Sequence, residues 1–356
     1  MVAVAPGRIN VIGEHVDYAG GLCLPAAVDR YLGVAVSAAD EIPVASRGRE
    51  EVVAAAVDDL RPLGTWADLA LGVLAELGDL GCANRLQVAV DSDIPAGAGL
   101  SSSAALAVGL ATAALARDGA SMEPLDVARL CQRAEHRFLG VPSGLMDQTA
   151  CLLGRVGHAL LIDTATGEIE PVPLPEGAAW LVCESGVERT LDRSPYAERV
   201  AEADRALQLA RAEWPGLDRL SDLRPAELEE VRLPPPLDRR ARHIAGEVLR
   251  VRLAVACLEA REIEPLGQLI TTSHRSLARD CEVSTPELDD LVEVALAAGC
   301  AGARMMGGGF GGSVLAVVAA ENADGAAARI ARRYRPPAGG PGLVHRVGAV
   351  DGVKLA

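Results

Sequence analysis

Lysine is almost absent from this chain of 356 residues: among 34 basic residues only Lys354, two positions from the C-terminus, is a lysine. A Walker A loop needs a lysine behind its last glycine, and a protein kinase needs one on its third strand, so neither site is present. Pyridoxal and Schiff-base chemistry, which use a lysine amine, fall with them. Positive charge as a whole is scarce. The chain carries 49 acidic residues, a net charge of −15 and a pI near 4.9. It lacks the basic footprint of a nucleic-acid binder and the polybasic patch that anionic lipid would require. Any phosphate it binds must be held by local groups, against the mean field of the protein.

No C-x-x-C pair occurs among the eight cysteines, at 23, 82, 131, 151, 183, 257, 281 and 300. That scatter suits thiols in a reducing compartment, neither a disulfide framework nor a zinc site. A charged-then-apolar leader is missing from the N-terminus, and no solenoid-length repeat is visible. The longest uncharged run, 94–116, opens on Pro, Gly and Ser. It leaves about 14 apolar residues, too few to cross a bilayer. A buried core helix and a cytoplasmic protein are expected.

Half of the chain is apolar, enough for the cores of two domains. Alternation and β-branched residues predict strands at 2–5, 22–25, 32–37, 86–90, 158–163, 179–183 and 312–319. Helical periodicity predicts helices at 66–77, 102–116, 125–139, 194–212, 239–260, 265–277 and 286–298. Pro171, Pro173 and Pro175 interrupt any helix and set a domain boundary between 1–176 and 177–356. Segments 233–237 and 335–342 are expected loops, and the class is α+β.

Residues 95–105, PAGAGLSSSAA, stand directly before an apolar helix. Gly97 and Gly99 let the backbone turn tightly and approach an anion. Leu100, Ser101, Ser102, Ser103 and Ala104 follow at the helix start, where free N–H groups and the helix dipole favour phosphate. Backbone dipoles need no lysine. The plainer alternative is an ordinary loop ending in a serine N-cap. A second run, Gly307 to Gly312, has five glycines in six residues before a strand. It fits close approach by a ligand or another backbone, or a tight hairpin loop.

Glu14, His15, Asp17 and Tyr18 place four hydrogen-bonding side chains within five positions, bracketed by apolar segments and glycines. These groups suit sugar hydroxyls, although a solvated loop would look similar. His15 has no histidine at ligand spacing, which disfavours zinc. Glu135 lies on the apolar stripe of its helix with Cys131 and Phe138. A carboxylate there must be paired, protonated or bound to a cation, a buried salt bridge to arginine being one solution. Downstream, Ser143 is placed to cap a short helix carrying Asp147 in its first turn.

Together these segments resemble the galactokinase branch of the GHMP small-molecule kinases. APGRINVIGEHVDYAGGLCLP (5–25) is similar to the branch's N-terminal motif, and PAGAGLSSSAA to the family's ATP loop. AEHRFLGVPSGLMDQ (134–148) resembles its catalytic segment, and GARMMGGGFGGS (302–313) its third motif. ERTLDRSPYAER (188–199) and SHRSLARDCEVSTPELD (273–289) extend the resemblance along nearly the whole chain. It implies a two-lobed fold, with an S5-like N-terminal domain and a ferredoxin-like C-terminal domain enclosing the site. It also implies transfer of phosphate from ATP, with Mg2+, to the anomeric hydroxyl of galactose. Asp147 would face that hydroxyl with Arg8 beside the transferred phosphoryl, and Glu135 would bind the metal with Ser102. Glu14, His15, Asp17, Gly144 and Tyr196 would contact the sugar, and Trp66 would pack near adenine. With Arg8 adjacent, Asp147 is expected as an anion. A small-molecule sugar and ATP are the expected partners, bound by a monomer or weak homodimer.

The resemblance is incomplete at four places. Val16 and Ala19 stand where the branch has threonine and asparagine, and Met306 and Ser313 where it has threonine and cysteine. A pocket rejects analogues strongly only where it pairs their polar groups. A kinase for another hexose, an amino sugar or a pentose is therefore the neighbouring reading. A sugar sensor on a kinase scaffold is a reading from a different class.

Overall fold

Apolar alternation in the first forty positions makes two long antiparallel strands, β1 (Val2–Asn10) and, after the short β2 (Leu22–Cys23), β3 (Pro25–Ala38). The computed structural model describes residues 1–56, 59–82, 85–188 and 195–356. The chain continues through β4 (Ile42–Ser46), β5 (Val53–Ala55), α1 (Asp68–Asp79) and β6 (Leu86–Ser92). Three helices follow, α2 (Ser102–Arg117), α3 (Pro124–Leu139) and α4 (Met146–Leu153), then β7 (His158–Asp163), β8 (Ile169–Pro173) and β9 (Ala178–Glu184). Next come α5 (Pro195–Glu213), α6 (Leu237–Ala260), α7 (Ile263–Ser276) and, after a π-helical turn at Leu277–Cys281, α8 (Pro286–Ala297). Strands β10 (Gly302–Met306) and β11 (Ser313–Ala319), helix α9 (Ala323–Arg333), β12 (Val344–Val347) and β13 (Lys354–Leu355) complete the order. Ser194, the expected start of α5, and half of the 188–199 motif lie outside the described residues.

The strands form a six-stranded sheet in the order β13-β1-β3-β6-β4-β5, a four-stranded sheet β10-β11-β9-β12, and a three-stranded sheet β2-β7-β8. The class is α+β, as expected. Pro171 and Pro173, which exclude a helix here, belong to strand β8. Strand β8 is the edge of its sheet, so the missing N–H groups cost no ladder bonds. Strands β4, β12 and β13 are too short to have shown a clear period; helix α9 has one, with Ala323, Ala326 and Ile330 on its buried face, and the sequence reading passed over it. The uncharged run resolves as predicted into a loop and the core helix α2, buried from Ala104 through Ala111. Among the described residues no helix is long and apolar enough to cross a membrane, and the eight cysteines are free.

Side chains of β1, β3, α1 and α2 share one core with Trp180 and Val182 of β9, Leu315 and Val317 of β11, and Val251 and Leu258 of α6. A second cluster lies between α8, α9 and their sheet. A third joins α5 and the start of α6 to Val16, Cys23 and Met146. These contacts bring the end of β1, the start of α2 and helix α4 to one place.

Helix α1 is tied to α3 by a buried carboxylate. Glu76 accepts from Arg133 Nε at 2.7 Å and Arg137 Nη1 at 2.5 Å, one turn apart on α3. Both arginines are half exposed and recover water when released, so Glu76→Ala should cost only about 1–2 kcal/mol. Thermal unfolding followed by circular dichroism should show Tm lower by roughly 2–8 °C. An unchanged Tm would mean that apolar packing alone holds α1 on α3.

Candidate active site

Strand β1 bends at a register shift between Pro6 and Gly7 and runs against the loop that precedes α2. A side chain at Gly7 would put its Cβ 2.7 Å from the Leu100 carbonyl oxygen, which accepts instead from the Arg8 amide at 3.0 Å. The buried Arg8 side chain reaches across the loop. Its Nε and Nη2 donate to Asp147 Oδ1 and Oδ2 at 2.8 and 2.7 Å, and Nη1 donates to the Gly99 carbonyl at 2.7 Å. Burial works against the guanidinium charge, but Asp147 outweighs it and Arg8 is held above its ordinary pKa. The fork fixes the plane of a carboxylate that is itself 30% exposed to the cavity.

Ser101 occupies the N-cap position of α2 in a left-handed conformation, φ 57°. Its hydroxyl donates to Asp147 Oδ2 and caps nothing. The simple serine cap is thus not what this loop builds. The first-turn amides of α2 keep no side-chain partner at that cap, the arrangement that suits an anion.

Glu135 is buried, and its Oε2 accepts from the Ser143 hydroxyl at 2.5 Å and Gln148 Nε2 at 3.0 Å. Ser143 is spent here. Helix α4 begins at Leu145 without a side-chain cap, contrary to the expectation from its sequence. No ion pair among the described residues includes Glu135, so the buried salt bridge does not form. Burial pushes this carboxyl above its ordinary pKa; the Ser143 bond opposes the shift and the Asp147 charge adds to it. Mg2+ takes one or two protein carboxylates together with phosphate and water oxygens. A carboxylate with neutral partners only, on a cavity it shares with Ser102, fits such an ion.

The segment after β1 supplies the opposite wall. His15, φ 57°, sets Nε2 at 3.2 Å from the Gly308 carbonyl oxygen, so Nε2 carries the proton and Nδ1 accepts from the Tyr18 hydroxyl at 3.2 Å. The His15, Tyr18 and Tyr196 rings pack edge-on or tilted, 5.2–5.8 Å apart. Half-buried Asp17 lies against Gly144, where a Cβ would be 2.0 Å from Oδ2. Burial, then the charges of Asp147 and Glu14, pushes the Asp17 carboxyl up to about 7. Glu14 also lines the cavity, with a carboxylate that already has three partners. It accepts from Asn10 Nδ2 at 2.8 Å and the Gly307 amide at 2.7 Å, and it pairs with Arg304 at 3.1 Å.

One cavity therefore gathers Arg8, Asp147, Glu14, His15, Asp17, Gly144, Tyr196 and Glu135 with Gly97, Gly99, Leu100, Ser101, Ser102 and Ser103. Two expected residues are outside its lining. Ala104 is buried in α2, and Trp66 packs against the core with the Arg49 guanidinium 5.2 Å above its ring. The glycine run 307–312 is both things proposed for it: the loop of the β10–β11 hairpin and, through Gly307 and Gly308, part of the cavity. Gly309, φ 76°, could not be otherwise, because a Cβ would sit 2.2 Å from the Val283 carbonyl oxygen.

The sequence reading missed a buried polar frame behind this wall. Arg304, wholly buried in β10, donates to the carbonyl oxygens of Asn10, Val11 and Met305. A lone arginine in an apolar strand was the available signal, of the kind that singled out Glu135. His243 and Glu247 of α6 bond the backbone of Glu14 and Gly13. Nothing local marked them. The four departures from the family motifs do not touch the cavity. Val16, Met306 and Ser313 are fully buried, and Ala19 lines a separate hollow beside Tyr18 and Arg219.

Three family models match the chain: a galactokinase galactose-binding signature at residues 1–38, a GHMP kinases N terminal domain at 68–155 and a GHMP kinases C terminal domain at 254–336. The galactokinase of Chloroflexus aurantiacus is 39% identical over 94% of this chain and 90% of its own length. That of Streptomyces coelicolor is 37% identical over 91% and 86%. Among solved structures, Lactococcus lactis galactokinase complexed with galactose superposes with a TM-score of 0.91 at 30% identity, over 99% of this chain and 94% of that one. With the signature, both domains and nearly full-length relatives in agreement, the chain belongs to the galactokinase family of GHMP kinases.

Proposed function

We propose that this chain transfers the γ-phosphoryl group of ATP to the anomeric hydroxyl of galactose, giving galactose 1-phosphate. The observation that carries the reading is the Arg8–Asp147 fork, which stands between the phosphate-type loop at Gly99 and Ser101 and the polar wall at His15 and Asp17. Phosphoryl transfer asks for positioning and charge stabilisation more than covalent work. The amides of the loop and first turn of α2 cradle the nucleotide phosphates. Arg8 faces the charge that develops on the transferring group. Asp147 accepts the hydrogen bond of the attacking hydroxyl and orients it, and its pairing to Arg8 makes it a better positioner than base. Glu135 with Ser102 would hold Mg2+, which supplies charge to offset the phosphates. Glu14, His15, Asp17, Gly144 and Tyr196 select the sugar, with Trp66 on the adenine side. Since Val16, Ala19, Met306 and Ser313 lie away from the cavity wall, galactose is favoured over another sugar. The division at 176/177, a cytoplasmic site of action and a monomer or weak homodimer belong to the same reading.

ATP consumption over a panel of sugars, with and without Mg2+, tests it. Galactose should be turned over in a metal-dependent way, and Asp147→Ala should lower kcat by about 10²–10⁴-fold in a folded protein. Binding of sugar without turnover would favour a sensor. In Gly144→Ala the added Cβ meets the Asp17 carboxylate, so KM for galactose should rise at least about tenfold. An unchanged KM would remove Asp17 from the sugar contacts. Ionised Asp17 accepts on both carboxylate oxygens and protonation turns one of them into a donor, so kcat/KM for galactose should fall as pH drops through about 7. A profile flat between pH 6 and 8 would contradict that role.

A further inference from the structure

The backbone of residues 13–15 is bent into a conformation it would not keep unaided. His15 sits in the left-handed region, which costs energy for any residue with a side chain and persists only where the surroundings over-determine it. The surroundings are two fully buried side chains of α6. Glu247 accepts the Gly13 amide on Oε1 at 3.0 Å, together with the Ser273 hydroxyl at 2.6 Å. Its Oε2 is paired with Arg250 Nε at 2.7 Å. His243, with Nδ1 at 3.0 Å from the Ser276 hydroxyl, donates from Nε2 to the Glu14 carbonyl oxygen at 2.9 Å. Neither side chain lines the cavity, and nor does Gly13, whereas Glu14 and His15, which follow it directly, do.

Resting on the sugar assignment above, we infer that His243 and Glu247 are positioning residues for the sugar: they set the direction in which His15 and Glu14 enter the cavity, and leave the nucleotide side untouched. The phosphate loop draws no hydrogen bond from either. A defect in this frame therefore separates the two substrates. Loss of the Glu14 bond frees the His15 turn, while Arg8, Ser101 and Asp147 keep their own contacts.

The test compares His243→Leu, which removes the donor, with His243→Gln, whose amide N–H reaches the former Nε2 position. Steady-state kinetics with galactose and ATP, and Tm, are measured on both and on the unaltered chain. His243→Leu should raise KM for galactose about tenfold, with KM for ATP and kcat within about twofold. His243→Gln should restore KM for galactose to within about threefold. Because both variants lose the imidazole, a purely structural role would lower Tm in both without splitting the two KM values. Equal galactose KM in Leu and Gln variants, or ATP and galactose KM rising together, would overturn the inference. Should the Leu variant fail to fold, His243→Asn, whose shorter amide leaves the Glu14 carbonyl oxygen without its donor, is read against the Gln variant by the same split. An unaltered chain silent on galactose would instead defeat the sugar assignment, and this inference with it.

Discussion

Everything in the cavity is arranged around a buried arginine. Arg8 cannot be accommodated in the core of the first sheet without an anion, and Asp147 is that anion; the guanidinium plane then dictates where the carboxylate lies. Its third bond, to the Gly99 carbonyl, carries the same constraint to the phosphate loop, and Ser101 closes the triangle from the helix start. Strand, loop and helix are therefore positioned by a single charge. A protein with a net charge of −15 gains a local cation at the one place where phosphate must be met.

The carboxylates around this point divide by partner. Asp147, Glu14 and Glu247 each face an arginine, Arg8, Arg304 and Arg250 respectively. Glu247 stays ionised, with a pKa near 2, because Arg250 and His243 outweigh the burial that opposes its charge. Among the described residues Glu135 and Asp17 pair with no arginine, and both are pushed upward, mainly by burial. Charges already neutralised by the protein hold its shape. The two that are pushed upward are the ones proposed above for the metal ion and the sugar.

Much of this was legible in the chain. Helices α2 and α3 start and stop within a residue of their apolar periods, because long amphipathic or uniformly buried segments carry their own signal. Glu14, His15, Asp17, Glu135 and Asp147 stood out by chemical type at short range, GEHVDY and SGLMDQ being dense in polar groups between apolar runs, whereas Arg8, Gly144, Tyr196 and Trp66 came from the family resemblance alone. Strands β4, β5 and β8 were not legible. A three-to-five-residue strand has too few positions to display a period, and β8 carries prolines that its edge position tolerates. Ser143 was misread as a cap because its preference for that role is local, while the buried Glu135 that claims it is eight residues back on another helix.

The sequence by itself excluded the lysine-dependent nucleotide sites and offered a glycine-serine loop before an apolar helix; the class of chemistry, with Arg8 in it, came from the resemblance of its motifs to the GHMP kinases. What only the tertiary structure decided is which polar groups reach the cavity and which are spent behind it. Val16 is buried away from the cavity, Trp66 and Ala104 fell outside its lining, and His243, Glu247 and Arg304 were drawn into a frame for residues 10–15 from more than two hundred positions away. Side-chain type is written residue by residue, but a hydrogen bond satisfied across such a separation exists only once the chain has folded and the desolvation of each buried group must be answered by whatever lies opposite.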